Sequence, residues 1–156
     1  MKKILLLLLF IPLISLSQVN YEDMLSINSI EQFKRVMIEN DYDFVENKQE
    51  TLTYAKYPIK NSEGELESSD WAYFSIEHNS YIFEFVNVLF GKFTYDDIYD
   101  VVKDKCKFSN ILEVKDNDGN PIDYACYTCP ESSAGVIGFT KNNGTGTIIN
   151  LPPNIN

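Results

Sequence analysis

Two of the chain's three cysteines, Cys126 and Cys129, lie within the short stretch YACYTCP. A Cys-x-x-Cys pair can act as a redox catalyst, supply half of a zinc site, or contribute to structural disulfides. Redox catalysis lowers a thiol pKa at a helix N-terminus or beside a cation, whereas this stretch is β-rich and is followed by the acidic Glu131. A zinc site would need Cys106 and His78, and neither belongs to a close-spaced ligand pair. We therefore expect neither a metal nor a cofactor.

The third cysteine, Cys106, lies at the end of a predicted helix and indicates a structural bond. Paired cysteines persist as disulfides in oxidising compartments outside the cytoplasm. A bond from Cys106 to Cys126 would join helix to sheet, and its loop of about 20 residues would stabilise the fold by about 3 kcal/mol. We favour this pairing, with Cys129 as the alternative partner of Cys106. The remaining cysteine would be buried or would form an intermolecular bond.

The N-terminal stretch MKKILLLLLFIPLISLS, residues 1–17, is typical of a signal peptide. Lys2 and Lys3 form its positive region, residues 4–14 its apolar region, and residues 15–17 supply small side chains at the cleavage site. The apolar run is shorter than the ~20 residues that span a bilayer, although a retained N-terminal anchor is the alternative. We expect cleavage before Gln18 and export of the chain to the periplasm or the extracellular medium.

The composition is strongly acidic, with 23 Asp and Glu residues against 13 Lys and Arg and a net charge of −10. Because no basic patch offsets this charge, the sequence disfavours nucleic acids and anionic lipid surfaces as partners. A catalytic triad would have to use His78, the one histidine, which lies in a predicted turn. A pair of carboxylates that hydrolyses a glycoside stays open as an alternative, because acidic residues are abundant. The stretch from Asp116 to Asn120 lacks EF-hand spacing and predicts an Asp-Gly hairpin turn.

Hydrophobic periodicity and turn residues predict one α+β domain over residues 29–151. One helix begins with a capping box at Ser29–Gln32, and a second begins with another at Thr94–Asp97. The β-rich runs that follow predict a mostly antiparallel sheet of six to seven strands carrying the two helices. Residues 18–28 are expected to form an N-terminal extension, and residues 152–156 a C-terminal tail.

The two halves of the chain resemble each other. Each reads as a capped helix that leads to a Phe, Phe44 or Phe108, and then as strands and a hairpin. The closest local match sets Tyr54-Ala55-Lys56-Tyr57 against Tyr124-Ala125-Cys126-Tyr127. This order predicts a duplicated α-β-β-β unit, with a single unduplicated sheet as the alternative. The plan is similar in outline to the architecture of the beta-lactamase inhibitor proteins, without a shared motif, and nothing about function follows from the likeness.

The runs WAYFSIE and YIFEFVNVLF predict a hairpin whose register decides which side chains share a face. Either His78 opposite Tyr81 or Glu77 opposite Ile82 separates an apolar side from a polar one. The apolar side would carry Ala72, Phe74, Ile76, Phe83 and Phe85, and the polar side Ser75, Glu77 and Glu84. Four candidate binding residues then lie on the otherwise polar face, namely Trp71, Tyr73, Val86 and Val88.

Two helices are too few to cover both faces of such a sheet, so these four residues predict a partner surface. The alternative is that a helix, or the polar connection at residues 59–70, covers them. We favour a non-catalytic exported module that binds a protein or an envelope component. A small secreted carboxylate-based hydrolase is the alternative, and a thiol-disulfide redox protein ranks below it.

Overall fold

The computed structural model describes residues 18–86, 94–116, 118–130, 135–142 and 144–151. The helices are α1 (Tyr21–Ser26), α2 (Ile30–Glu39) and α3 (Thr94–Lys105). The strands are β1 (Tyr42–Lys48), β2 (Thr51–Lys56), β3 (Ile59–Lys60), β4 (Leu66–Glu67), β5 (Asp70–Ser75), β6 (Ser80–Val86), β7 (Lys107–Lys115), β8 (Pro121–Thr128), β9 (Val136–Asn142) and β10 (Thr145–Leu151). The predicted signal peptide at 1–17, the predicted tail at 152–156 and the candidate binding residue Val88 lie outside the described residues.

Eight of these strands form one antiparallel sheet in the order β1-β2-β5-β6-β10-β9-β8-β7, and β3 pairs with β4 in a separate ribbon. The α+β class is confirmed, but the predicted count of six to seven strands is wrong because the sequence pattern missed β1. In that edge strand only Tyr42 is buried, so the hydrophobic alternation that marks a strand is absent. The turn to β2 uses Gln49 and Glu50 at φ 49° and 60°, and these residue types do not signal such a turn.

The large sheet consists of two halves, and in each half the strands follow one another in chain order from the edge of the sheet to its centre. The strands β1-β2-β5-β6 follow α2, and β7-β8-β9-β10 follow α3 in the equivalent arrangement. Each edge strand has a register shift after a phenylalanine, at Phe44 in β1 and at Phe108 in β7. Where the halves meet, Ile82 of β6 faces Ile149 of β10. Each half therefore contributes four strands to the large sheet, not the three that the sequence predicted.

Ring contacts repeat between the halves and correct the predicted local match. Phe44 faces Tyr54 across the strands, and Phe108 faces Tyr127 in the same way. The ring centroids lie 5.4 Å apart in the first pair and 5.7 Å apart in the second. The structural counterpart of Tyr54 is therefore Tyr127, and not Tyr124 as the match of residues 54–57 with residues 124–127 implied.

All three helices pack on one face of the large sheet, here called the helix face. Phe33 of α2 lies 5.1 Å from Phe74 between ring centroids, and Tyr99 of α3 lies 4.9 Å from Phe139. Helix α1 joins this core through the Tyr81 hydroxyl, which donates to the carbonyl oxygen of Met24 at 3.0 Å. Residues 18–28, expected to be an extension, thus supply core side chains, and the buried ones are Val19, Tyr21, Met24, Leu25 and Ile27. The opposite surface of the sheet is here called the open face.

The β5–β6 hairpin has the predicted separation of faces but a different turn. Ser75 faces Ser80, so the connection consists of the four residues Ile76–Asn79. The predicted pairings of His78 with Tyr81 and of Glu77 with Ile82 are therefore wrong. The observed register differs from the predicted one by an even number of residues, so each side chain still lies on the predicted face of the hairpin. Ala72, Phe74, Phe83 and Phe85 are buried together, whereas Ile76 is 41 % exposed in the turn.

Helix α3 sits on the sheet above a glycine. A Cβ atom on Gly146 of β10 would lie 2.5 Å from Cγ of Tyr95, a contact that the ring cannot tolerate. Tyr95 is itself buried and contacts Phe139 edge-on, with ring centroids 5.9 Å apart. The absence of a side chain at position 146 thus sets how closely α3 approaches the sheet.

We predict that Gly146→Ala lowers the free energy of unfolding by about 1–3 kcal/mol, because the added methyl displaces the Tyr95 ring. Urea denaturation of the purified protein measures the effect. In a Tyr95→Leu background the same substitution should cost less, because a smaller, more flexible side chain can move aside. Equal losses in the two backgrounds would show that Tyr95 does not determine the penalty.

Candidate functional site

The open face of the first half carries a cluster here called the aromatic patch, made of Trp71 and Tyr73 in β5 and Ile82, Glu84 and Val86 in β6. Trp71 faces Glu84 and Tyr73 faces Ile82 across the two strands. The Trp71 and Tyr73 ring planes lie within 11° of parallel, with centroids 6.5 Å apart. Ile82 and Val86 are 39 % and 41 % exposed. The structure thus brings three of the four predicted binding residues onto one surface, while Val88 is outside the described part of the chain.

Glu84 places a carboxylate at the centre of this surface. The Tyr73 hydroxyl donates a hydrogen bond to its Oε2 atom at 3.3 Å. Burial, followed by the Glu84 charge and this hydrogen bond, raises the pKa of Tyr73. Burial and the Glu84 charge also raise the pKa of Tyr124, which lies on the other half of the sheet. The Glu84 charge therefore helps to raise the pKa of a tyrosine in each half of the sheet. The sequence predicts only that Glu84 lies on the polar side of the hairpin.

The second half of the open face forms a small hydrophobic core of its own. The buried residues of this core are Tyr124, Cys126 and Ile149, and the partly buried ones are Leu112, Ile122, Val136 and Leu151. Gly138 makes the packing possible, since a Cβ there would lie 2.9 Å from Ile149 Cγ1 and 3.3 Å from Tyr124 Cβ. This half covers its own open face without a helix.

In the first half, the position equivalent to Tyr124 carries a small side chain, and the position equivalent to Gly138 carries a large one. With Tyr54 matched to Tyr127, the small residue Thr51 occupies on β2 the position that Tyr124 occupies on β8. Phe74 of β5 lies opposite Leu52, and Phe139 of β9 lies opposite the equivalent residue Ala125, so the two phenylalanines occupy equivalent positions. The residue before each of them is Tyr73 in the first half and Gly138 in the second. Among the described residues, the first half therefore has two large aromatic rings on the open face and the small Thr51 at the position where Tyr124 is buried in the second half.

The disulfide joins Cys106 to Cys129, with Cα atoms 4.4 Å apart, and not Cys106 to Cys126 as we favoured from the sequence. Alternation along the chain explains the correction. Tyr127 and Cys129 belong to the helix-face core, together with the end of α3, whereas Cys126 belongs to the core of the open face. Cys126 is a free, buried cysteine, and burial raises the pKa of its thiol. A raised pKa is the opposite of what redox catalysis by a Cys-x-x-Cys pair requires.

A cavity of about 730 Å³ lies between α1, the end of α2 and α3. Four carboxylates line it, namely Glu22, Asp23, Glu39 and Asp97. The contacts of Glu22, Asp23 and Glu39 are structural. Asp23 caps the N-terminus of α1, Glu22 binds the Lys105 ammonium at 3.3 Å, and Glu39 pairs with Arg35 at 3.7 Å. The cavity is acidic, but its carboxylates are largely engaged in holding the helices.

A buried lysine on β2 escaped the sequence analysis. Lys56 is 5 % exposed, and its Nζ atom lies 5.6 Å from the Tyr42 ring centroid and 5.7 Å from that of Tyr57. Burial lowers the pKa of Lys56, while the charges of Asp70 and Asp41 oppose that shift. Burial raises the pKa of Asp70, and the charge of Lys56 opposes it. A lysine within an otherwise ordinary strand pattern gives no sign of burial, because Tyr42 and Asp70 belong to the neighbouring strands β1 and β5.

Within the described ranges, no group of three or more His, Cys, Asp or Glu side chains is placed to hold a metal ion.

The predicted Asp-Gly turn is confirmed. The Asp116 carboxylate accepts hydrogen bonds from the backbone of Asp118 at 2.9 Å and of Asn120 at 2.8 Å. None of the described helices has both the length and the apolarity needed to cross a bilayer.

A comparison with known proteins finds no matching family model, no matching curated protein and no matching solved structure. Function therefore has to be inferred from the surfaces and side chains of this chain itself.

We predict that the native protein shows no rapidly reacting thiol, that the unfolded, unreduced protein shows one, and that the reduced, unfolded protein shows three. The reason is that Cys126 is buried and the other two cysteines are bonded to each other. Thiol titration with a chromogenic disulfide gives the counts, and peptide mapping gives the bond.

Cys129→Ser should lower the free energy of unfolding by about 2–5 kcal/mol. A mapped Cys106–Cys126 bond would contradict the assignment.

We also predict a favourable coupling between Asp70 and Lys56 of on the order of 1 kcal/mol at neutral pH, because the Asp70 charge favours protonated Lys56. A double-mutant cycle of Asp70→Asn with Lys56→Met isolates this coupling, since Asp70→Asn alone also removes the burial cost that raises the pKa of Asp70. The coupling should vanish at alkaline pH, where Lys56 loses its proton. Urea titrations at two pH values measure it, and a cycle with the exposed Asp43→Asn in place of Asp70→Asn is the matched control. A coupling independent of pH would contradict an interaction with the charged lysine.

Proposed function

We propose that this protein is an exported, non-catalytic binding module whose aromatic patch takes a protein or another envelope component. The observation that carries the proposal is the contrast between the two halves of the open face. The second half buries Tyr124 and Ile149 in a cluster of its own, whereas the first half leaves Trp71 and Tyr73 partly exposed. Aromatic surface that the described residues leave partly exposed is a candidate for burial by a partner.

The patch is well suited to binding because its rings are held in place beforehand. Trp71 lies parallel to Tyr73, and Tyr73 is tied to Glu84 through its hydroxyl. Ordered aromatic side chains lose little conformational freedom on association, and Trp and Tyr dominate binding hot spots. The flanking apolar side chains Ile82 and Val86 extend the contact surface along β6.

Export is part of this proposal. The leader-like pattern of residues 1–17 supports it, and so does the Cys106–Cys129 disulfide, because such bonds persist in oxidising compartments. The acidic composition, with a net charge of −10, favours solubility and partners other than nucleic acid.

A carboxylate-based hydrolase is the second candidate, and the cavity between the helices is the observation that favours it. Hydrolysis requires one carboxyl group to act as an acid and another to act as a base or nucleophile. Glu22, Asp23 and Glu39 instead bind Lys105, the start of α1 and Arg35. Structural use of these groups makes binding at the open face the better-supported function.

We predict that a photo-cross-linking amino acid at Val86 captures one defined partner when the protein is produced in its native cell. Val86 is exposed enough to accept the substitution and lies within the aromatic patch. The captured partner should be lost when Trp71→Ala is added, because the indole supplies much of the contact. Mass spectrometry of the adduct identifies the partner, and the purified pair should bind in solution.

The matched control places the same cross-linker at Ile111, which is 55 % exposed and lies on the edge strand β7. Adducts common to both positions would count as non-specific. Acrylamide quenching of Trp71, the one tryptophan, gives an independent reading of patch exposure in the free protein. An indole fully shielded from quencher, or an adduct indifferent to Trp71→Ala, would overturn the proposal.

A further inference from the structure

We infer that the partner presents a basic side chain, arginine in first place, to Glu84 at the centre of the aromatic patch. This inference rests on the proposed function, since it names the chemistry of what the patch binds. It identifies the partner as a basic protein or peptide surface, rather than an apolar surface alone.

Glu84 has the position that such recognition requires. It is half-buried on a central strand, with Trp71 opposite it on β5 and Thr147 opposite it on β10. Among the described residues its one hydrogen bond comes from Tyr73, and no described lysine or arginine forms an ion pair with it. A carboxylate can accept several hydrogen bonds, so Glu84 has capacity for a donor supplied by a partner.

The rings beside this carboxylate match the same ligand group. A guanidinium group is planar, stacks on aromatic faces and donates paired hydrogen bonds to a carboxylate. Trp71 and Tyr73 offer nearly parallel rings next to Glu84, so one guanidinium can contact a ring and the carboxylate together. A lysine ammonium satisfies the charge but lacks the planar stacking, and therefore ranks second.

The charge of the whole chain supports a basic partner. A net charge of −10 attracts positively charged surfaces over long range and raises their association rate. The same charge disfavours a second copy of this chain as the occupant, because two acidic molecules would have to bring their Glu84 residues into one interface. An acidic protein or polymer is disfavoured on the same ground.

The test uses a random peptide library displayed on phage and selected on the purified protein. We expect peptides whose binding is lost in Trp71→Ala and weakened in Val86→Ser, and we expect these peptides to contain arginine or lysine beside apolar residues. The affinity of the best peptide should fall about ten- to hundred-fold in Glu84→Gln, which keeps the size of the side chain and removes its charge.

Glu113→Gln is the matched control, because it removes the same charge from an exposed position on β7. Binding should be unchanged in this variant, and it should weaken with added salt in the parent protein. Patch-dependent peptides that lack basic residues and are indifferent to Glu84→Gln would overturn the inference while the proposed function stands. A selection in which no binder depends on Trp71 or Val86 would contradict both.

Discussion

One constraint organises this molecule: side chains alternate between the two faces of its large sheet, while the described helices pack on only one of them. Phe33, Tyr95 and Tyr99 bring α2 and α3 onto the helix face, and Tyr81 ties α1 to it. Successive residues of each strand in the large sheet therefore belong alternately to the helix face and to the open face. The position of the disulfide, the free thiol and the aromatic patch all follow from that assignment.

The two halves repeat the same strand arrangement but differ in the side chains that they place on the open face. On the helix face the repeat extends to side chains, since one aromatic ring on α2 and one on α3 each contact a tyrosine and a phenylalanine of their own half. On the open face the repeat breaks, because Gly138 leaves room for Ile149 and the Cβ of Tyr124, whereas the equivalent position carries Tyr73. The likeness between the halves thus provides a comparison within one chain, and the difference marks the surface with the most functional interest.

The sequence pattern predicted much of the fold where burial is one-sided. The Ser29 cap of α2, the faces of the β5–β6 hairpin and the Asp116 turn follow from local chemistry and are present in the structure. The predicted capping box is only half formed, because the Gln32 side chain accepts from the backbone N–H of Asn28 and not from that of Ser29. Strand β1 escaped prediction because it is an edge strand with one buried residue. The helix α1 escaped because its six residues are short for periodicity analysis, and its buried side chains acquire meaning only against Tyr81 and the rest of the core.

The sequence by itself determined the acidic charge, the α+β class, the candidate aromatic residues and the presence of a cysteine able to bond to Cys106. Those properties depend on residue type and short-range spacing, which a linear pattern records. The tertiary structure alone decided that Cys129 and not Cys126 is the partner, and that Glu84 lies directly opposite Trp71. It also decided that Tyr124 is buried in a cluster on one half of the open face, while Trp71 and Tyr73 are partly exposed on the other. Each of these depends on which strands become neighbours across the sheet, and pairing between residues far apart in the chain leaves no local trace.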